Sequence, residues 1–303
     1  MVLADADRVV LITGASTGIG LALVRALERT GFRVVATARA ESLGRFLQAG
    51  ITPNERRMIV PLDVRRPEER QAALAMVRAQ WGAVDVLINN AAIAYRAVCE
   101  HMGEEDDLEQ LRTNYLAPLE LARLVLPEMR ARRRGHIINI SSVAGMMAMP
   151  TMGPYSASKF ALEGATEALW YEARPWRVRV CLVEPGFVHS ESFRNARFTS
   201  RSRQALEDPS DPYHRYYSSM LPFIERMMRW SWATPEHVAR RILRLMRDPD
   251  PPLRVQATVD ARLFALLRRL LPARLYHRVL YAALPGVRRW VRSSSTLTPA
   301  PRA

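Results

Sequence analysis

Lysine is almost absent from this sequence. Of its 44 basic residues, all but Lys159 are arginine. Cysteine is nearly as scarce. Cys99 and Cys181 alone cannot build a disulfide framework or a cysteine metal site, and they suit a reducing compartment. No run of about 18 apolar residues occurs, so no segment is expected to span a bilayer. The opening stretch MVLADADR sets acids ahead of the first apolar run, which does not read as a secretory signal. These absences point to a cytoplasmic protein, held at most to the face of a membrane. Acids are also scarce near the carboxyl-terminal end, where from Arg240 onward 14 arginines face only Asp248, Asp250 and Asp260. That end carries +11 of the net charge of +14. The basicity therefore belongs to a tail, and no nucleic-acid partner is expected for the body.

Apolar residues make up 49% of the chain, enough for a large core. They fall into short β-branched runs that alternate with helical periodicity. Strands are expected near 8–13, 32–38, 57–64, 84–91, 135–142 and 177–186, with a short one near 253–257. Helices are expected near 19–30, 67–81, 105–131, 154–173 and 235–247, the last opened by Thr234 as N-cap and Pro235 in the first turn. Such alternation implies an α/β fold with a parallel sheet covered on both faces. Between 187 and 232 the pattern breaks down into aromatic, serine, proline and arginine residues.

The turn TGASTGIG (13–20) joins the first strand to the first helix. Gly14, Gly18 and Gly20 let the backbone turn tightly and approach a pyrophosphate, whose charge meets the helix N-terminus. Alone, this is also an ordinary strand–helix turn; its setting favours a dinucleotide. The end of the second strand reads ATARAES, with Arg39 and no acid before Glu41. An acid there holds a ribose 2′-hydroxyl, whereas an arginine accepts a 2′-phosphate. Ser16 and Thr17 add hydroxyls, and the cofactor expected is NADP rather than NAD.

The single lysine lies in YSASK (155–159), four residues after Tyr155, so both side chains share one helix face. A free phenol titrates near ~10, and an adjacent cation lowers a pKa by ~1–3 units. That would bring the phenol toward useful acid/base chemistry. An ammonium is a compact charge with rotatable donors, which a planar guanidinium does not replace. This accounts for the one lysine in an arginine-rich chain.

Taken together, TGASTGIG (13–20), NNAA (89–92), TNYLAP (113–118), NISS (139–142), YSASK (155–159) and EPGFVHS (184–190) resemble the short-chain dehydrogenase/reductase family, in its short single-domain branch. YSASKFALEG is similar to the 17β-hydroxysteroid and retinol dehydrogenase-like members. The resemblance covers about 7–260. It implies a Rossmann-like three-layer sandwich over residues 1–258, with 187–232 as a substrate lid and 259–303 as a basic amphipathic extension. It also implies roles. Tyr155 is the acid/base, Lys159 lowers its pKa and holds the nicotinamide ribose, and Ser142 binds the substrate oxygen. Asn114 holds a water that relays protons to Lys159. Ile19 follows the glycine turn on the cofactor's side, and Asp63 with Val64 meets the adenine. Asn89 and Ala91 line the cofactor trough, and Pro185, Gly186, Val188 and Ser190 contact the nicotinamide amide. A homodimer through the 105–131 and 154–173 helices is implied too. One departure is Ala92, where the family usually has glycine.

The aromatic segment, with Met146, Met147, Met149 and Met152 upstream of Tyr155, suits a bulky lipophilic substrate such as a steroid, retinoid or fatty carbonyl. It equally suits simple packing of a lid on the body. Residues 260–271 place Leu263, Phe264, Leu266, Leu267, Leu270 and Leu271 on one side and Arg262, Arg268 and Arg269 on the other. Pro272 interrupts, and a second amphipathic stretch follows over 273–284. An anionic membrane surface, the enzyme body or a partner subunit would each satisfy 260–284. The resulting expectation is an NADP(H)-dependent oxidoreductase acting on a carbonyl or secondary alcohol. The rivals are a catalytically silent cofactor-binding scaffold at a membrane surface, a nucleic-acid binder working through the tail, and a nucleotide-sugar enzyme of the longer related fold.

Overall fold

The computed structural model describes residues 6–190 and 195–290. Its centre is a parallel sheet of seven strands in the order β3-β2-β1-β4-β5-β6-β7. The strands are β1 (Val9–Ile12), β2 (Arg33–Ala38), β3 (Arg57–Pro61), β4 (Val86–Asn89), β5 (Gly135–Ile140), β6 (Val178–Glu184) and β7 (Arg254–Gln256). Each lies within the stretch the sequence predicts, trimmed by a residue or more at all but the first residue of β3 and β5 and the last of β2.

Alternation along β1 sorts the helices into two layers. Val10 and Ile12 face a cluster with Leu23 and Leu27 of α1 (Gly18–Leu27), Phe46 of α2 (Gly44–Gln48), and Val238 and Ile242 of α9 (Pro235–Arg247). Val9 and Leu11 face the other way. They meet Leu74 and Val77 of α3 (Pro67–Trp81), Leu121 and Val125 of α5 (Ala117–Ala131), and Leu169 and Ala173 of α6 (Gly153–Ala173). Burying each such leucine or valine side chain contributes about 1.5–3 kcal/mol, which fixes the three-layer sandwich. α9 starts as expected, with Thr234 Oγ accepting from His237 N at 3.4 Å.

The helix expected over 105–131 is divided. α4 (Glu104–Leu111) passes through a π-helical turn, Arg112–Leu116, into α5. Periodicity does not reveal such a turn, because the extra residue in it disturbs the ladder without breaking the chain's helical course. Asn114 sits inside it.

The segment that showed no pattern holds two helices, α7 (Ser200–Glu207) and α8 (His214–Trp230). Pro222 inside α8 and a surplus of aromatics hide the periodicity. α8 packs Met220 and Ile224 against Phe187 and Trp290, joined by Met149, Met152, Phe223 and Met228. The extension forms α10 (Val259–Leu270) and α11 (Ala273–Ala283), broken at Pro272 as expected.

The extension is pinned to the body at both ends. Asp260 Oδ2 accepts from Phe187 N at 2.7 Å, and Thr258 Oγ1 accepts from Gly186 N at 2.9 Å. A methyl at Gly186 would lie 1.9 Å from Asp260 Oδ2, so only glycine admits this contact. At the far end, buried Trp290 donates from Nε1 to Ser219 Oγ of α8 at 2.9 Å. Phe264 packs inward beside Met149, in a cluster with Met146 and Met147, whereas Leu263, Leu266 and Leu270 stay exposed. The apolar arc of α10 is too wide for one contact, so the body takes part of it.

Candidate active site

The sheet order reverses between β1 and β4, and ligands of open α/β sheets bind in the crevice at such a reversal. A cleft of about 530 Å³ opens there. It runs from Ser16, Arg39 and Asp63 at one end, past Tyr155, to Phe187 and to Ile224 and Met228 of α8.

The glycine turn is shaped for close approach. Gly14 and Gly18 have φ of 63° and 54°, values that side chains rarely adopt. A Cβ at Gly14 would lie 2.8 Å from Ala91 Cα, and one at Gly20 would lie 2.6 Å from Gly14 O. Gly18 faces open space. Two side chains that the sequence reading did not single out lock this turn to β4. Thr13 Oγ1 accepts from Asn90 N and Ala91 N at 2.9 and 3.0 Å. Asn90 Nδ2 donates to Thr13 O and Gly14 O, both at 3.0 Å.

Most of the expected site residues line the cleft: Gly14, Ser16, Thr17, Gly18, Ile19, Arg39, Asp63, Val64, Ala91, Ser142, Tyr155, Lys159, Pro185, Gly186, Val188 and Ser190. Three do not, and each works from behind the wall. Gly20 packs under Gly14. Asn89, expected in the trough, turns into the core, where Nδ2 donates to Asn139 Oδ1 at 2.8 Å and Pro118 O at 3.2 Å. Strand alternation explains this, since the next residue, Asn90, takes the cleft side. Asn114 spends its amide on the loop after β4. Oδ1 accepts from Ile93 N at 2.9 Å, and Nδ2 donates to Ile93 O at 2.8 Å and to Ser158 Oγ at 3.0 Å. Its side chain positions that loop against α6.

At the Asp63 end of the cleft, Arg39 lies just past β2 and pairs with Glu41 at 3.1 Å, both side chains well exposed. Arg45 lines the same wall, a second cation that the sequence reading passed over. Asp63 Oδ1 accepts from Arg65 N and Nε at 3.0 and 2.9 Å, and Oδ2 from Arg65 Nη2 at 2.6 Å. Burial alone would raise this carboxyl, but the Arg65 bonds outweigh it and hold it below the usual range. These donors, the open Gly18 and the helix N-terminus together fit a dinucleotide phosphate backbone.

At the reacting end, Tyr155 and Lys159 share one face of α6, with the Lys159 Nζ 5.8 Å from the centre of the phenol ring. Nζ donates to Ile140 O at 2.8 Å. Burial pushes this ammonium down to about 8, opposed by nearby Glu163. Glu163 is itself buried, accepts from Ser141 Oγ at 2.6 Å and pairs with Arg254. Burial raises Tyr155, and what opposes it is a hydrogen bond with Ser142 and the charge of Arg96. A phenol shifted in that direction keeps its proton at neutral pH. Ser142 Oγ accepts from Ala144 N at 3.1 Å, which fixes the hydroxyl beside it.

Comparison with known proteins agrees with this geometry. Residues 8–200 match the family described as short chain dehydrogenase. The 3-ketodihydrosphingosine reductase of Bacteroides thetaiotaomicron is 34% identical over 281 residues, covering 91% of this chain and 98% of that protein. Human 17-beta-hydroxysteroid dehydrogenase type 1 is 34% identical over 272 residues, covering 87% of this chain and 80% of its own. A metagenomic short-chain oxidoreductase solved in complex with NADP superposes with a TM-score of 0.62 at 28% identity, over 83% of this chain and 96% of that one.

Proposed function

The chain belongs to the short-chain dehydrogenase/reductase family of NAD(P)-dependent oxidoreductases, and on that premise we propose that it reduces a lipophilic carbonyl with NADPH, or oxidises the matching alcohol. The observation that carries this reading is the placement of Tyr155 and Lys159 on one face of α6, with Ser142, in one cleft with the glycine turn. When bound, the nicotinamide supplies or accepts the hydride. Ser142 binds the substrate oxygen and polarises it. Tyr155 gives that oxygen its proton in reduction, and takes it back in oxidation. Lys159 holds the ribose and brings positive charge under the phenol as the proton leaves. Asn114 keeps the loop after β4 in place, and Pro185, Gly186, Val188 and Ser190, which line the cleft, would hold the nicotinamide amide.

NADP is favoured by Arg39 and Arg45 at the adenosine end and by the lack of an acid at the end of β2. The lipophilic substrate is favoured by Met149, Met152, Phe187, Ile224 and Met228 along the reacting end of the cleft. The reading includes a homodimer through the 105–131 and 154–173 helices, supported by Leu108, Leu116 and Tyr171, which stay exposed along them. It also includes an anionic membrane surface as the partner of 260–284. Exposed Leu263, Leu266, Leu270, Leu275 and Val279 stand among Arg262, Arg268, Arg269, Arg274 and Arg278, apolar contact paired with positive charge. No described helix is long and apolar enough to cross a membrane.

The test follows nicotinamide absorbance with each cofactor against steroid, retinoid and fatty ketones and alcohols. Turnover with NADPH well above NADH is expected. Preference for NADH would overturn the role given to Arg39 and Arg45, and no turnover on any member would overturn the lipophilic-carbonyl reading.

A further inference from the structure

One cation in the reacting half of the cleft is left over by the mechanism above. Arg96 is 7% exposed and lines the cleft together with Tyr155, Met149 and Met152. Its backbone is held on both sides. Arg96 N donates to Arg197 O at 2.7 Å, Tyr95 bridges to Arg197, and Ala97 bridges to Met152. In such an extended segment neighbouring side chains point opposite ways. Tyr95 turns away, with its hydroxyl donating to Glu109 Oε2 at 2.8 Å, and Arg96 is thereby aimed at the cleft.

Arg65 and Arg197, which also line the cleft, are neutralised. Arg65 pairs with Asp63 and Glu109, and Arg197 pairs with Glu109. Among the described residues no carboxylate pairs with Arg96. Among the described residues its side-chain hydrogen bond runs from Nη1 to Met152 Sδ at 2.6 Å, and a thioether is a weak acceptor. A largely buried guanidinium thus faces the cleft with no carboxylate to balance it among the described residues, an arrangement that costs stability unless an anion completes it. The desolvation is severe enough to pull the guanidinium down to about 10.

We propose that Arg96 is a specificity residue that binds an anionic oxygen group of the substrate, so the natural substrate is an apolar carbonyl compound that also carries a carboxylate or similar anion. The inference rests on the lipophilic-carbonyl reading and narrows it. The guanidinium fork matches two oxygens at once, which a neutral sterol or retinoid does not offer. The methionines and the lid take the apolar body. The anion lies on the Tyr155 side of the cleft, remote from Arg39 and Arg45, so it is distinct from the cofactor's phosphates.

Binding separates this proposal from turnover. The NADP-loaded full-length protein is titrated calorimetrically with decanoate and with decanamide, which differ essentially in charge. The wild type is expected to prefer decanoate by about tenfold to a hundredfold. Arg96→Met should erase that preference while leaving decanamide affinity within about twofold, and Arg96→Lys should keep part of it. Equal affinity of the wild type for both ligands would overturn the proposal, whether or not the variants fold. So would a preference that survives in folded Arg96→Met, since decanoate would then be bound by other arginines. An enzyme inert on every ketone would sink the carbonyl reading and leave this measurement intact.

Discussion

The two halves of the cleft are built by different means. The cofactor half is wired by directional bonds: Thr13 and Asn90 tie the glycine turn to β4, and Gly14 and Gly20 leave no room for a methyl. The substrate half is held by apolar packing of methionines and aromatics from α8 and the extension, with a few bonds at its corners. The first kind of wall fixes atoms to fractions of an ångström and tolerates little change. The second adapts its shape, since methionine fills irregular space and repacks at small cost. An enzyme of the proposed kind, with one dinucleotide and a bulky apolar substrate to hold, has use for both.

Substitutions sharpen this contrast. The largest effect is expected from Gly20→Val, whose Cβ would meet Gly14 O at 2.6 Å. Cofactor binding, followed by NADPH fluorescence, should be lost, and correct binding would show that the turn is not as closely packed as described. Next comes Trp290→Ala in the lid cluster. Removing a buried tryptophan costs about 3–5 kcal/mol of stability. Thermal unfolding should fall and KM for the carbonyl rise, while cofactor affinity stays the same. An equal loss of cofactor affinity would mean that the halves are not separable. The smallest effect on folding is expected from Leu263→Gln, Leu266→Gln and Leu270→Gln together. These exposed sites should change stability by about 0.5 kcal/mol or less each. Sedimentation with vesicles containing anionic lipid should nonetheless weaken markedly. Unchanged sedimentation would remove the membrane from the account and leave these leucines for a protein partner.

The sequence was most informative where physics is local. Glycines at 14, 18 and 20, the strand alternation of β1 to β6 and the Tyr155–Lys159 spacing all act within a few residues, and each is found where that reading put it. What it left unseen depends on the third dimension. Whether Asn89 or Asn90 faces the cleft turns on one residue of strand register. Asn114 had a place in the motif, but its partners Ile93 and Ser158 come from two other segments. Arg96 was one arginine among 43 until the fold left it buried without an acid. The helices of the lid were hidden because their periodicity answers to each other and to Phe187, not to the sheet.

The central claim is that one phenol moves the proton. Its most direct test is Tyr155→Phe, measured for NADPH binding and for turnover of whichever ketone the wild type reduces best. The account predicts cofactor affinity within about threefold of wild type and turnover lowered by at least about a hundredfold, the scale of a lost general acid. Turnover close to wild type in a variant that still binds NADPH would contradict it.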